Sequence, residues 1–424
     1  MDRTRQLGWA AVTALVAVAI WISLIMGTAN GLDVARWPAL PFGHLPWLAQ
    51  PNFYDEMALL HMADAVRDGR DPYGDARGQS GPYLNNYPSI WAGIRHLGLG
   101  VEDARPFGLA LAALYLVAWM VCFRPFQAAQ TVWCLAFLLS PPSLNAMASA
   151  NNEIVIFALM VAAGHFAARS RGASTALVVL AALLKIIPFA ALPVLVDGKR
   201  RTLLWVAAGL VICTAWFACH KGELQQLNRS TPRPNICAFG SGVLGSRLSQ
   251  SLSANPEESN ALPRHGHFQS PSWCHGLYQF LLVAGFLGPL LFGLQGLRRG
   301  WNAPPTPDDP NRVLFRMGTM LYLTAFALGH NWPHRLILLY LAVPWLASHK
   351  SLRWLAALVL AVGYLVNSME GQVFLAVQVA TWMLALRLAF ELGRSLAPDI
   401  AASYRALGLA PAWKAQTPPH TPAV

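Results

Sequence analysis

ASTALVVLAALLKIIPFAALPVLV, residues Ala173–Val196, is apolar almost from end to end, yet it carries Lys185 and Pro188 near its middle. Its length suits a membrane crossing, which takes about 20 mostly apolar residues. Its centre does not suit a plain crossing. Proline breaks the helical hydrogen-bond ladder, and an ionisable residue inside an apolar run marks a functional candidate. A single crossing would put Lys199, Arg200 and Arg201 on the opposite side from Arg169 and Arg171. A segment that enters, breaks near Lys185-Ile186-Ile187-Pro188 and returns would keep both basic groups together. Broken helices are tolerated at membrane depth where protein or water surrounds them. The re-entrant or broken-hairpin reading is therefore preferred, and two short tilted crossings serve the topology equally well.

The rest of the chain agrees with a membrane setting. Of 424 residues, 55% are hydrophobic and 12% charged, against about 25% charged in soluble domains. Disordered and fibrous classes are excluded on the same grounds. Further apolar runs lie at about 7–29, 104–123, 128–141, 152–168, 202–219, 274–297, 313–329, 336–348, 352–366 and 372–390. The first has a basic flank, Arg3 and Arg5, but lacks a small-x-small exit and reads as a retained helix. The expected fold is an all-α polytopic integral membrane protein with about 10–12 transmembrane helices. Residues 1–397 form one transmembrane domain and 398–424 a cytoplasmic tail.

Orientation follows from the short loops. Arg124, Arg169, Arg171, Arg298, Arg299, Lys350, Arg353 and Arg394 fall on the side of Arg3 and Arg5, which is the cytoplasmic side by the positive-inside rule. The net charge of +11 is then a topological signal and not a nucleic-acid footprint. Both termini are cytoplasmic, and a bacterial plasma membrane is the expected location. The long loops at about 30–103 and 220–273 lie outside, with short turns at 140–151, 330–334 and 367–371.

The first outer loop is Pro-rich over Trp37–Pro51. It then reads Asn52-Phe53-Tyr54-Asp55-Glu56, followed by Leu59, Met62 and Val66 at helical spacing, with His61, Asp64 and Asp68 on another face. This predicts an amphipathic helix at the membrane surface, with Asp55 at the N-cap. Asp55 and Glu56 have three readings: a helix cap with a favourable first-turn charge, a general-base pair, or a metal site. A second amphipathic stretch contains Tyr87 and Trp91 and runs to Leu99. Asn151, Asn152 and Glu153 open a helix from the outer side, either as caps or as sugar contacts. In Gly329-His330-Asn331-Trp332-Pro333-His334-Arg335, Arg335 is either a snorkelling anchor or an anion clamp with His334 and His330. Lys185 would meet a lipid phosphate or solvate the broken helix. Asn367-Ser368-Met369-Glu370-Gly371 reads as a solvated turn.

Other chemistry is absent from the pattern. There is no Walker loop or dinucleotide fingerprint and no zinc or haem spacing. No cofactor is expected, with a divalent metal left open. Cys122, Cys134 and Cys213 read as small apolar residues. Cys237 and Cys274 share the outer side, where a disulfide is chemically allowed. Asn228-Arg229-Ser230 fits a glycosylation sequon.

The order of four elements resembles the polytopic glycosyltransferases of the GT-C fold, and more narrowly family 87, the DUF2029 group, which includes polyprenol-phosphate-mannose-dependent mannosyltransferases. An acidic residue after the first helix precedes Gly69-Arg70-Asp71-Pro72-Tyr73. Tyr87-Pro88-Ser89-Ile90-Trp91 follows, then Asn151-Asn152-Glu153, then Lys185-Ile186-Ile187-Pro188. The resemblance covers about residues 1–350. Where that group has Gly-Gln-x-Asn at the helix start, this chain has Asn151-Asn152-Glu153. The resemblance implies a lipid-linked sugar donor, inverting transfer outside the cytoplasm, and Asp55 as the base.

The expected function is thus a membrane hexosyltransferase, for instance a mannosyltransferase. Its partners are a polyprenyl-phosphate-sugar donor, a lipid or glycan acceptor and membrane lipids, with no nucleic acid. Asp55 and Glu56 are the catalytic candidates. Arg335, His334, His330 and Lys185 are the donor-phosphate candidates, and Tyr87, Trp91, Asn151, Asn152 and Glu153 the acceptor or sugar contacts. A transporter or flippase is the alternative, as is a polymerase or ligase of lipid-linked glycans. Polar groups gathered at outer helix ends favour the enzyme, since transporters place them at the midplane.

Overall fold

The computed structural model describes residues 3–29, 53–73, 87–125, 127–230, 239–241, 243, 287–295, 309–328, 331–366 and 371–408. His330, Cys237, Cys274, Ser368–Glu370 and Trp37–Pro51 lie outside them. The described chain is an all-α membrane protein, and its only β-pairing is an isolated bridge between Phe239 and Asn331.

Helix α1 spans Arg3–Ala29. It buries one edge, Ala17, Ile20 and Leu24, and leaves Leu7, Leu15, Val18 and Ile22 exposed, as a helix at the lipid boundary does. Trp21 Nε1 ties it to the Leu109 carbonyl of α3 (Ala104–Phe123) at 3.2 Å. Helix α4 (Ala128–Leu138) and α5 (Pro141–Ala148) meet at a 56° bend. Pro141 and Pro142 supply no N–H there, and the freed carbonyl of Phe137 takes the hydroxyls of Ser140 at 2.6 Å and Ser143 at 2.8 Å. The stretch read as an outer turn at 140–151 is thus mostly helix.

Helix α6 (Glu153–Ala167) packs along α7 (Arg171–Leu184) and α3. After α7 the chain breaks at Lys185 and returns through short 3-10 turns, Ile187–Ala191 and Pro193–Leu195. The return is complete: Arg171 Nε reaches Asp197 Oδ2 at 3.2 Å and its Nη1 reaches the Leu195 carbonyl at 3.3 Å. Both ends of Ala173–Val196 therefore lie together, as the broken-hairpin reading requires, and its tip carries Lys185.

Helix α8 (Arg200–Cys219) exposes Leu204, Trp205, Val211 and Ile212, and α9 (Lys221–Ser230) follows. Helix α10 (Pro310–Ala327) runs through the centre, buried on nearly every side. At its start Arg316 meets Asp399 at 2.5 Å and Arg312 meets it at 3.3 Å. Three shorter helices come next, α11 (Ile337–Tyr340), α12 (Val343–Ser348) and α13 (Arg353–Leu365). The last, α14, spans Gly371–Ala406 and passes through Pro398 without a break, so the first residues beyond 397 are helical. Among the described residues, four helices are long and apolar enough to cross a membrane, or five if the bent α4–α5 pair counts as one. The remaining runs among the described residues are short, broken or buried by neighbours. Such elements satisfy their backbone inside the protein.

Between α1 and α3 lies a small helical layer. Helix α2 spans Tyr54–Arg67. Its apolar face, Leu59, Leu60 and Met62, is covered by Tyr87, Trp91 and Ile94 of the segment around the 3-10 helix Ser89–Leu97. The helix expected to lie on the membrane surface thus buries that face in protein. Its N-cap also differs: Phe53 holds it in the left-handed region, φ 70°, and Asp55 lies within the first turn. Phe53 and Glu56 press on α3 at Gly108, where an added Cβ would stand 2.7 Å from Glu56 Oε2 and closer still to the Phe53 ring. Gly108→Ala is expected to cost about 1–3 kcal/mol by overpacking. A thermal unfolding curve matching the wild type would show that α2 gives way freely.

Candidate active site

Two helix ends make the foundation. The last carbonyls of a helix and the first N–H groups of another lack partners within their own helix. Here they satisfy each other: Phe53 N–H donates to the Ala148 carbonyl at 2.9 Å, and Asp55 N–H to the Ser149 carbonyl at 3.2 Å. The start of α2 is thereby fastened to the end of α5. Ala150 at φ 48° turns the chain sharply into α6. A non-glycine residue in that region costs about 1–3 kcal/mol and persists where its surroundings hold it.

Asn151 uses both ends of its amide. Its Oδ1 accepts from Glu153 N–H at 2.9 Å, which is the expected capping role. Its Nδ2 donates to Asp55 Oδ2 at 2.7 Å and faces His334 Nε2 at 3.2 Å. With Nδ2 as donor, His334 accepts through Nε2 and carries its proton on Nδ1. Burial, with Lys185 and Arg335 nearby, holds His334 well below the usual histidine range, so it is neutral. Burial raises the Asp55 carboxyl, against the opposing hydrogen bonds from Asn151 and Ser149 and the charge of Lys185.

Lys185 stands at the hairpin tip. Trp91 fixes that tip by donating from Nε1 to the Leu184 carbonyl at 2.9 Å. Lys185 Nζ contacts Glu153 Oε1 at 2.5 Å and donates to Asn152 Oδ1 at 3.1 Å. Arg335 Nε lies 3.4 Å from the same Glu153 oxygen, and its Nη1 donates to Asn331 Oδ1 at 2.6 Å. Asn331 is anchored in turn by paired backbone bonds with Phe239 and by its amide on the Ala325 carbonyl. Two carboxylates, Asp55 and Glu153, thus face two cations, Lys185 and Arg335. The residues come from α2, the α5–α6 junction, the α7 tip and the turn before α11.

Placed against the sequence expectations, Asp55, Asn151, Asn152, Glu153, Lys185, His334 and Arg335 come together. Lys185, the ionisable residue of the apolar run, is paired with Glu153. Glu56 departs from the group and lies fully buried against Gly108, with neither carboxylate oxygen hydrogen-bonded among the described residues. Burial pushes its carboxyl up to about 9. Trp91 acts one step away, through Leu184. Tyr87 is buried in the α2 layer, its carbonyl accepting from Tyr73 at 2.9 Å. The sequence reading assigned no role to Asn331 or Glu223. Asn331 stood inside the quoted turn. Glu223 of α9 accepts from Tyr73 at 2.9 Å, Ser89 N–H at 2.6 Å and Ser89 Oγ at 2.9 Å, a pairing across loops that no spacing announces. Among the described residues, no three His, Cys, Asp or Glu side chains gather in a way that could hold a metal ion.

Residues 106–232 match the model of Glycosyltransferase family 87. The match indicates a glycosyltransferase and coincides with the family the motifs resemble. It includes Asn151, Asn152, Glu153 and Lys185, while Asp55, His334 and Arg335 reach the same cluster from outside it. No curated protein and no solved structure matches the chain.

Proposed function

We propose that the protein moves a sugar, a hexose such as mannose, from a polyprenyl-phosphate carrier to a lipid or glycan acceptor at the extracytoplasmic face, with inversion. One observation carries this reading: a hydrogen-bonded carboxylate, Asp55, stands in one cluster with two partly buried cations, Lys185 and Arg335. An acceptor hydroxyl gives its proton to Asp55. Its oxygen bonds to the anomeric carbon as the bond from that carbon to the phosphate oxygen breaks. The bonding pair leaves with the lipid phosphate, whose charge Lys185 and Arg335 receive. A single base and a direct displacement fit inversion. The basic loops support placing the cluster on the outer face.

Mass spectrometry of lipid-linked glycans, from membranes with and without the active protein, tests the reading. Loss of one sugar residue in its absence is the expected result. An unchanged glycan accumulating on the inner leaflet would instead mean transport.

A further inference from the structure

Glu153 is wholly buried, yet among the described residues only cations and no N–H or O–H donor of a neutral group accompany its side chain. Lys185 and Arg335 both address one oxygen, Oε1, and Oε2 has no hydrogen-bond partner among the described residues. A buried carboxylate is stable only when paired and hydrogen-bonded, so this one is under-satisfied. Beside it are donors in the same condition. Asn152 is 1% exposed, its Oδ1 taken by Lys185; among the described residues its Nδ2 has no acceptor and Arg335 Nε makes no good hydrogen bond. Buried donors left open beside paired cations are what an oxyanion with several acceptor oxygens would fill.

We infer that Glu153 is a positioning residue which, in the resting site, occupies the place of the donor's phosphate and holds Lys185 and Arg335 ready for it. This rests on the reading of the site as a lipid-phosphate-dependent transferase. It replaces the sugar contact expected of Glu153. The phosphate enters by competing with the carboxylate for the two cations, and Asn152 Nδ2 supplies a further donor. A competing counter-ion weakens anion binding while keeping the cations aligned, so its removal moves affinity and turnover in opposite senses.

The test uses the full chain in detergent with farnesyl phosphate as the probe. Glu153→Gln is expected to bind the probe several-fold more tightly than wild type, while kcat falls about 10- to 100-fold through loss of alignment. Glu153→Asp, whose shorter carboxylate draws back from the cations, should shift both quantities the same way by less, and it serves if the Gln variant does not fold. Weaker binding in whichever variant folds would overturn the inference, because it would make Glu153 a simple organiser or a ligand contact. Wild-type binding that is indifferent to Lys185→Ala and Arg335→Ala would overturn the underlying phosphate reading instead. A purely structural role would lower the folded fraction without separating affinity from turnover.

Discussion

Asp55→Asn is expected to fold like the wild type and to lose glycosyl transfer by about 10²- to 10⁴-fold in kcat, the span that a positioned general base contributes. The substitution keeps the shape of the side chain and can keep the contact with Asn151, since an amide oxygen accepts as a carboxylate oxygen does. The backbone anchor to Ser149 does not involve the side chain. The proton-accepting power is removed together with the charge that Lys185 faces. The wild-type pH profile carries the same signature. Burial raises the Asp55 carboxyl above the ordinary carboxylate range, and the base works only when ionised. Transfer should rise with pH through that raised value and level off above it. Wild-type transfer by the Asn variant in membranes would remove Asp55 from the mechanism.

Several members of the cluster were legible because they interrupt or border an apolar run. Lys185 beside Pro188, Asn151-Asn152-Glu153 at a helix mouth and Arg335 at the start of an apolar stretch all stand out against hydrophobic neighbours. The break at Lys185 was legible too, since keeping Arg169 and Arg171 with Lys199–Arg201 favoured a segment that returns, as a broken hairpin or as two short crossings, and the Arg171–Asp197 pair holds its two ends together. Pairings were not legible. Nothing local links Lys185 to Glu153 or Asp55 to Asn151, because those contacts depend on how α2, α6 and α7 end at one level. The cap was misread for a related reason. Asp is a favoured N-cap residue, but the hydrogen bonds from Phe53 and Asp55 to the end of α5 set where α2 starts. The pair Asp55-Glu56 looked like one acidic unit, yet adjacent residues on a helix do not face the same way.

That divergence yields the second large effect. Glu56→Gln should stabilise the protein by an amount that grows with pH. In the folded state burial holds the Glu56 carboxyl up to about 9, whereas its ordinary value is 4.5. Below that ordinary value both states carry the proton, and the group takes nothing from stability. Between the two values the unfolded chain has released the proton and the folded protein retains it, so rising pH favours unfolding. Above about 9 both states are ionised and the loss is complete, on the order of 5 kcal/mol. Glutamine resembles the protonated side chain and does not titrate. The two proteins should therefore unfold alike near pH 4, and by pH 9 the variant should lead by about 5 °C or more in Tm. Because Glu56 is neutral at pH 7 already, transfer there should survive the substitution, in contrast to Asp55→Asn. Thermal unfolding in detergent across this pH range decides the matter. A gap that does not change with pH would mean that Glu56 is ionised in the fold, and loss of transfer at neutral pH would return it to the catalytic pair.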